Sequence, residues 1–287
     1  MSQATIGVIG GSGLYAMGGL TDVEELRVET PYGDPSDVFV IGTLANRRVA
    51  FLPRHGRGHR INPSELPSRA NIYAFKQLGV RALIAVSAVG SLREDYAPGQ
   101  VVVPDQIFDR TKGGRPSTFF EQGIVAHIAF DKPFCPNLSQ ILYASAQAAG
   151  AAVHKGGTMV VMEGPAFSTL AESEENHRRG HDLIGMTALP EAKLAREAEI
   201  AYACLAMVTD YDAWHPGHDA VTVDAVVAVL HANAALSQQI VAMAVNQIGD
   251  DFTSIAHSAL ATAIITDRAR ISDEAKQRLA LITGKYL

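Results

Sequence analysis

The stretch IGVIGGSGLY, residues 6–15, decides how the chain is read. An apolar β run from Ile6 to Ile9 breaks into Gly10-Gly11-Ser12-Gly13, and Gly11, Gly13 and Ala16 fit a dinucleotide fingerprint with alanine in third place. That fingerprint has meaning only where the glycine loop leads into a full helix and then a second parallel strand. Residues 14–36 instead hold Gly18-Gly19 and then ETPYGDPS, poor material for such a helix. The next two runs, 37–44 and 47–54, are joined by Ala45-Asn46, which reads as a β-hairpin rather than a crossover. A nicotinamide or flavin site is therefore disfavoured. A glycine-rich turn still suits an anion, because consecutive N–H groups with no Cβ in the way converge on one oxygen cluster. Ser12 adds a hydroxyl, so the loop fits a single phosphate if other donors reach it.

Composition narrows the partners. The chain has 287 residues, enough for one large α/β domain with a buried core, and 47% of them are apolar. Net charge is −6, from 24 basic and 30 acidic residues, with no basic run, which disfavours nucleic acid and anionic membranes as partners. Cys135 and Cys204 form no CxxC pair and read as buried free thiols of a reducing compartment. The opening MSQATIGVIG lacks the basic region of a signal peptide, and no apolar stretch reaches the ~18 residues of a membrane span. A soluble, cytoplasmic protein is expected.

Apolar β-rich runs recur at 5–10, 37–44, 47–54, 81–90, 99–109, 157–164, 182–186 and 201–210. Helical periods lie between some of them, at 68–79, 136–150, 190–200 and 222–245, the last with Thr222 as candidate N-cap. In the third, Pro190 and Glu191 stand in the order that helix starts favour. Strands alternating with helices imply an α/β sheet with helices on its faces. No linker or repeat divides the chain, so residues 1–248 are expected to form one domain and residues 249–287 a helical extension packed on it or on a neighbouring subunit.

Several strand tips offer anion donors. PRHGRGHR (53–60) follows a strand and concentrates Arg54, His55, Arg57, His59 and Arg60; the guanidinium fork matches phosphate oxygens. Ser87 stands at the expected exit of the run 81–90, and Met186-Thr187 at another exit. In open α/β sheets, ligands sit outside the carboxyl ends of strands. At a further tip, TDYD (209–212) brings Asp210 and Asp212 to one side of an extended strand end, where crowding should raise at least one pKa. His55 with His59, and HPGH (215–218), invite a metal reading. The glycines exclude a helix around His55, and no other ligand cluster supports zinc, so no metal is expected.

The segments GVIGGSGLY, ETPYGDPSD, RHGRGHRINPSELPSRANIYAFKQLG, AVGSLREDYAPGQVVVPDQIFDRT, GTMVVMEGPAFSTLAES and GMTALPEAKLAREAEIAYACLAMVTDYDAW follow one another in a specific order and spacing. Over about residues 5–245 they resemble the 5′-methylthioadenosine phosphorylases, in the trimeric branch of the nucleoside phosphorylases. The resemblance implies an α/β, single-domain nucleoside phosphorylase fold with a central mixed β-sheet flanked by helices. It also implies phosphorolysis of 5′-methylthioadenosine to adenine and 5-methylthioribose 1-phosphate, in purine and methionine salvage. Orthophosphate is then a co-substrate, and no metal or organic cofactor is needed.

By the same resemblance, Ser12, Arg54, His55, Ser87 and Thr187 bind phosphate, and Asp210 and Asp212 are the catalytic, purine-reading pair. Met186 lines the ribose, Phe167 covers the base, and Val223, Val226 and Val227 wall the methylthio group. His59 and His127 match residues near the ribose 5′ end, His127 reaching in from a neighbouring subunit of a homotrimer or a dimer of trimers. Serine replaces the commoner threonine at 12 and 87, and Ala166 stands where arginine is frequent, so any contact of that arginine is lost. The alternative within this resemblance is a purine nucleoside phosphorylase acting on 6-oxopurine nucleosides or methylthioinosine.

Overall fold

A computed structural model describes residues 4–11, 17–217 and 221–287. Among these, eleven strands form one mixed sheet. β1 (Ile6–Gly10) is buried throughout, as an apolar run covered on both faces must be. β4 (Arg47–Pro53) and β5 (Ala82–Ser91) flank it in parallel, with Ile6 opposite Val49 on one side and Ala82 on the other. β3 (Phe39–Leu44) and β2 (Thr21–Leu26) continue outward from β4, antiparallel. The β3–β4 hairpin turns on Ala45 and Asn46, with φ of 48° and 62°. Positive φ at both central residues is the turn geometry whose twist suits paired strands.

β5 is the hinge of the sheet. β11 (Ala201–Asp210) pairs with one edge of it, in parallel, from Ala82 to Gly90. The opposite edge is shared: β1 takes it as far as Ala85, and β10 (Leu183–Gly185) pairs antiparallel at Gly90 and Ser91. Beyond β10 lie β9 (Thr158–Met162) and β7 (Gln106–Arg110), and beyond β11 lie β6 (Val101–Val103) and β8 (Val153–Lys155). Several details depart from the sequence reading, among them β2 and β8, which lie outside the apolar β-rich runs. The run 99–109 splits around Pro104, which has no N–H for a ladder, into β6 and β7. Ser87 is not an exit residue, because β5 continues to Ser91.

Helices cover both faces. Ile9, Ala50 and Leu52 pack with α1 (Ser68–Gln77), α4 (Ala188–Glu197) and α6 (Asp273–Thr283), whereas Ile6, Val8 and Val49 pack with α2 (Pro136–Ala148) and α5 (Val223–Gln247). Residues 249–287 contribute Leu260, Ala263, Ile271, Leu279 and Ile282 to the first of these cores. α3 (Leu170–Arg178), absent from the sequence reading, opens on a capping box in which Thr169 and Glu172 satisfy each other's backbone N–H. α5 is long and apolar enough to cross a membrane by length and composition. Its second half, with Ile240, Val241, Ala244 and Val245 buried, is instead a core helix. Its first half is a different matter: Val223 remains 64% exposed and Val227 40%.

Candidate active site

The parallel strands β1, β4, β5 and β11 all end on the same side of the sheet, and the residues singled out from the sequence follow those ends. Arg54 leaves β4, and its N–H donates to Gly10 O at 2.9 Å, which ties this turn to the start of the glycine loop. Its side chain is 2% exposed. Nε donates to Glu191 Oε1 at 2.5 Å and Nη2 to Oε2 at 3.1 Å, a bidentate pair across the fold. Nη1 donates to Val86 O at 3.0 Å and Nη2 also to Ile9 O at 3.4 Å. Of the five guanidinium N–H groups, one on Nη1 has no acceptor among the described residues and can serve a ligand. Burial opposes the Arg54 charge, but the Glu191 carboxylate outweighs it and the pKa rises. Tyr202 completes the pair by donating its hydroxyl to Glu191 Oε2 at 3.0 Å. Glu191, read from the sequence as an ordinary first-turn acid, is thus a buried countercharge.

His55 follows Arg54 in the same turn. Its Nδ1 lies 2.8 Å from Ile61 O, and a carbonyl can only accept, so Nδ1 carries the hydrogen. Burial, then the neighbouring Arg54 charge, lowers its pKa to about 4. His59, at φ 53°, stacks on His55 with ring centroids 4.2 Å apart. Ser87 and Thr187 meet from opposite elements, Oγ to Oγ1 at 3.3 Å. Ser87 is half-buried and Ala88 exposed in the middle of the central strand, which marks a cleft at this point of the sheet.

Arg115 organises the neighbouring turn, and nothing in TKGGRPSTFF signals it. Its Nη1 donates to Met186 O at 2.6 Å and Leu189 O at 2.9 Å, and its Nη2 to the backbone oxygens of Met162 and Glu163. Nε pairs with Glu163 Oε1 at 2.9 Å. Glu163 also accepts from Ser64 Oγ and from Lys112 N–H. Although burial works against its charge, these donors hold its pKa down near 2. One arginine therefore sets Met186, Thr187 and the β9 exit relative to one another. Gly164 permits this closeness: at φ 68°, a Cβ there would stand 2.5 Å from Met186 Sδ.

The aspartates form the other half of the site. Asp210 ends β11; its Oδ2 accepts from Thr209 Oγ1 at 2.7 Å, and its Oδ1 from Asp212 N–H at 2.8 Å. Asp212 is not on an extended strand end, as the sequence suggested, but in a turn at φ 51°. The two carboxylates are brought together by that backbone hydrogen bond rather than by strand alternation. Burial raises both pKa values; the Asp212 charge adds to the effect on Asp210, and the Ser173 and Ser168 hydroxyls offset part of it for Asp212. Asp212 Oδ2 is buried with no partner among the described residues. An acceptor in that condition is costly unless a ligand supplies a donor.

Gly90 makes room for the pair: a Cβ on it would lie 2.9 Å from Asp210 Oδ1, 3.0 Å from Ile184 Cγ2 and 3.3 Å from Asp212 Cβ. A Gly90→Ala variant is expected to keep the fold, at a cost of about 1–3 kcal/mol for overpacking. Because it displaces the carboxylates, it should lose roughly 10²-fold in kcat/KM. Thermal unfolding and steady-state kinetics check this, and an unchanged kcat/KM would show that the carboxylate positions do not matter.

The remaining candidates are less assembled. Phe167 is 40% exposed, beyond β9. Val223, Val226 and Val227 occupy the first turns of α5, capped by Thr222 accepting from Ala225 N–H. His127 is exposed, and its N–H donates to Ala263 O; no described hydrogen bond or ring contact joins it to the cluster within this chain. Ser12 lies outside the described residues.

The chain is similar to known proteins both in sequence and in structure. The family model of the phosphorylase superfamily matches residues 5–246. The S-methyl-5′-thioadenosine phosphorylase of Chloroflexus aurantiacus is 73% identical over 286 residues, covering 100% of this chain and 99% of the relative. That of Geobacter sulfurreducens is 56% identical, covering 99% and 100%. Among solved structures, a methylthioadenosine phosphorylase from an antarctic soil metagenomic library superposes with a TM-score of 0.93 at 50% identity, over 98% of this chain and 99% of that one. The methylthioadenosine phosphorylase of Schistosoma mansoni in complex with adenine gives 0.83 at 34% identity, over 98% of each.

Proposed function

The chain belongs to the phosphorylase superfamily, and from that membership we propose that it cleaves 5′-methylthioadenosine with orthophosphate, giving adenine and 5-methylthioribose 1-phosphate. It is an enzyme, a pentosyltransferase. The observation that carries the reading is the acidic pair of half-buried Asp210 and buried Asp212, beside the strand β5 whose Ser87 hydroxyl meets that of Thr187. An adenine presents an amino donor at C6, which carboxylate oxygens accept, and Asp212 Oδ2, without a partner among the described residues, suits such a donor.

Glycosidic C–N cleavage needs charge relief at both ends. The sugar moves toward an oxocarbenium ion while the purine leaves with negative charge on its imidazole ring. Phosphate gathered by Ser12, Arg54, His55, Ser87 and Thr187 is the nucleophile and the anion that stabilises the cationic sugar. Protonated Asp210 serves purine N7 as that nitrogen becomes basic, and the raised pKa of Asp210 supports this role. Met186 supports the ribose, Phe167 the base, and Val223, Val226 and Val227 the methylthio group. An apolar wall of this kind discriminates methylthio from hydroxyl by only ~1–3 kcal/mol, so adenosine is a slower substrate rather than an excluded one.

The reaction calls for no metal or organic cofactor. Self-association as a homotrimer or a dimer of trimers is part of the proposal, with His127 and His59 at the ribose 5′ end. The exposure of His127 and of the first half of α5 supports it. A cytoplasmic place in purine and methionine salvage completes the reading. Adenine release from methylthioadenosine tests the function: it should require phosphate and exceed hypoxanthine release from inosine or methylthioinosine. Equal release in phosphate-free buffer overturns phosphorolysis.

A further inference from the structure

Granting the proposed function, a charge count in the anion cradle leads one step further. Arg54 is the cation buried there, and Glu191 already neutralises it with both carboxylate oxygens. The other cations of the same turn are turned elsewhere. Arg57 pairs with Glu25 at 2.6 Å and gives its N–H to Asp37, and Arg60 is exposed and donates to Ser36 O. Ser87 and Thr187 bring hydroxyls without charge. Among the described residues, then, the cradle offers an anion hydrogen bonds but no net positive charge. A bare dianion would enter a half-buried site with its charge uncompensated, which desolvation penalises heavily.

His55 supplies the way out. With Nδ1–H given to Ile61 O, its Nε2 holds a lone pair and has no partner among the described residues. A neutral imidazole in this tautomer accepts at Nε2 and cannot donate there. Such a group is mismatched to a fully ionised oxyanion and matched to an oxyanion bearing a P–OH. The titratable and charged groups that act on it are Arg54 and the stacked His59 from its own turn; behind Arg54 stand Glu191 from α4 and Tyr202 and Cys204 from β11. Burial pushes the Tyr202 and Cys204 pKa values up, so both are neutral and add no charge.

We propose that the cradle takes phosphate together with one proton, shared between a phosphate oxygen and His55 Nε2, because the Glu191–Arg54 pair leaves no charge to hold a dianion. Thermodynamically it makes no difference whether the proton arrives on the monoanion or is taken up by His55 with the dianion. Either way, the complex holds one proton more than neutral His55 and the free dianion.

Calorimetric titration of the full-length protein with inorganic phosphate tests this, run in two buffers of different ionisation heat at pH 6 and pH 8. Uptake of about one proton per phosphate is expected at pH 8, and close to none at pH 6, where free phosphate already carries the proton. Once the free anion is mainly dianionic, Kd should rise by about tenfold per pH unit. Binding at pH 8 without proton uptake, or a Kd that falls as pH rises, overturns the proposal and leaves phosphorolysis standing. No phosphate binding at either pH overturns both. Glu191→Gln keeps the shape of the pair and removes the countercharge, so its uptake at pH 8 should fall below half a proton. Full uptake in a variant with unchanged thermal unfolding would refute the part assigned to Glu191; the unsubstituted protein decides the rest.

Discussion

Asp210→Asn is expected to lower kcat on methylthioadenosine by roughly 10²–10⁴, the usual contribution of a positioned general acid. The amide keeps the size of the side chain; its oxygen can still accept from Asp212 N–H, and its NH₂ can donate to Thr209 Oγ1, whose own hydroxyl retains Val89 O as an acceptor, so the turn should hold. What it cannot do is give up a proton to N7. The pH profile supplies a second readout. Burial raises the Asp210 pKa, so the protonated, active form persists to higher pH than in an ordinary aspartate and is lost as pH rises through that value. The unsubstituted enzyme should therefore lose kcat on the alkaline side of this ionisation, whereas the variant should show no such limb. The amide NH₂ also offers a donor to a 6-oxo group, so activity on inosine should rise relative to methylthioadenosine. Intact cleavage of methylthioadenosine with no gain on inosine would mean that Asp210 neither protonates nor reads the base.

Glu191→Ala carries the largest expected effect on stability. Arg54 is buried and cannot give up its charge, and without the carboxylate it would be left with backbone carbonyls alone. Tyr202 would lose its acceptor as well. Breaking a buried pair by deleting one partner costs about 3–5 kcal/mol. Urea unfolding should register that loss, and the variant that remains folded should show a phosphate KM raised at least about tenfold, because the guanidinium is no longer held in place. A change below about 1 kcal/mol, the scale of exposed ion pairs, would show that water reaches Arg54.

Much of this architecture could be read from residue types. The buried strands announced themselves as unbroken apolar runs, and Ala45-Asn46 marked the hairpin because a two-residue connection can join antiparallel strands but not parallel ones. α3 is harder to read from sequence: Thr169-Leu170-Ala171-Glu172 carries the capping-box pattern, but the polar composition of the segment hides its helical period. The candidate site was legible wherever a strand tip carried an unusual cluster, as at Arg54-His55 and at Asp210-Asp212. It was illegible where function depends on a partner far along the chain. Glu191 and Arg115 each look like ordinary surface charges in their own segments, and only the fold shows that one neutralises Arg54 and the other fastens Met186. Gly90 was hidden for a related reason, since the need for a missing Cβ arises from two aspartates that β11 brings alongside.

The shared edges of β5 also bear on how the chain reaches this shape. β5 ends at Ser91, but the strand that lines its whole length begins at Ala201, and β10, which closes the other edge, begins at Leu183. During synthesis, a long apolar strand must therefore wait with open ladder groups while more than a third of the polypeptide is still being made. Such distant pairing slows assembly and invites intermolecular strand addition, so holdase chaperones should improve the recovery of refolded protein more than they improve its final stability.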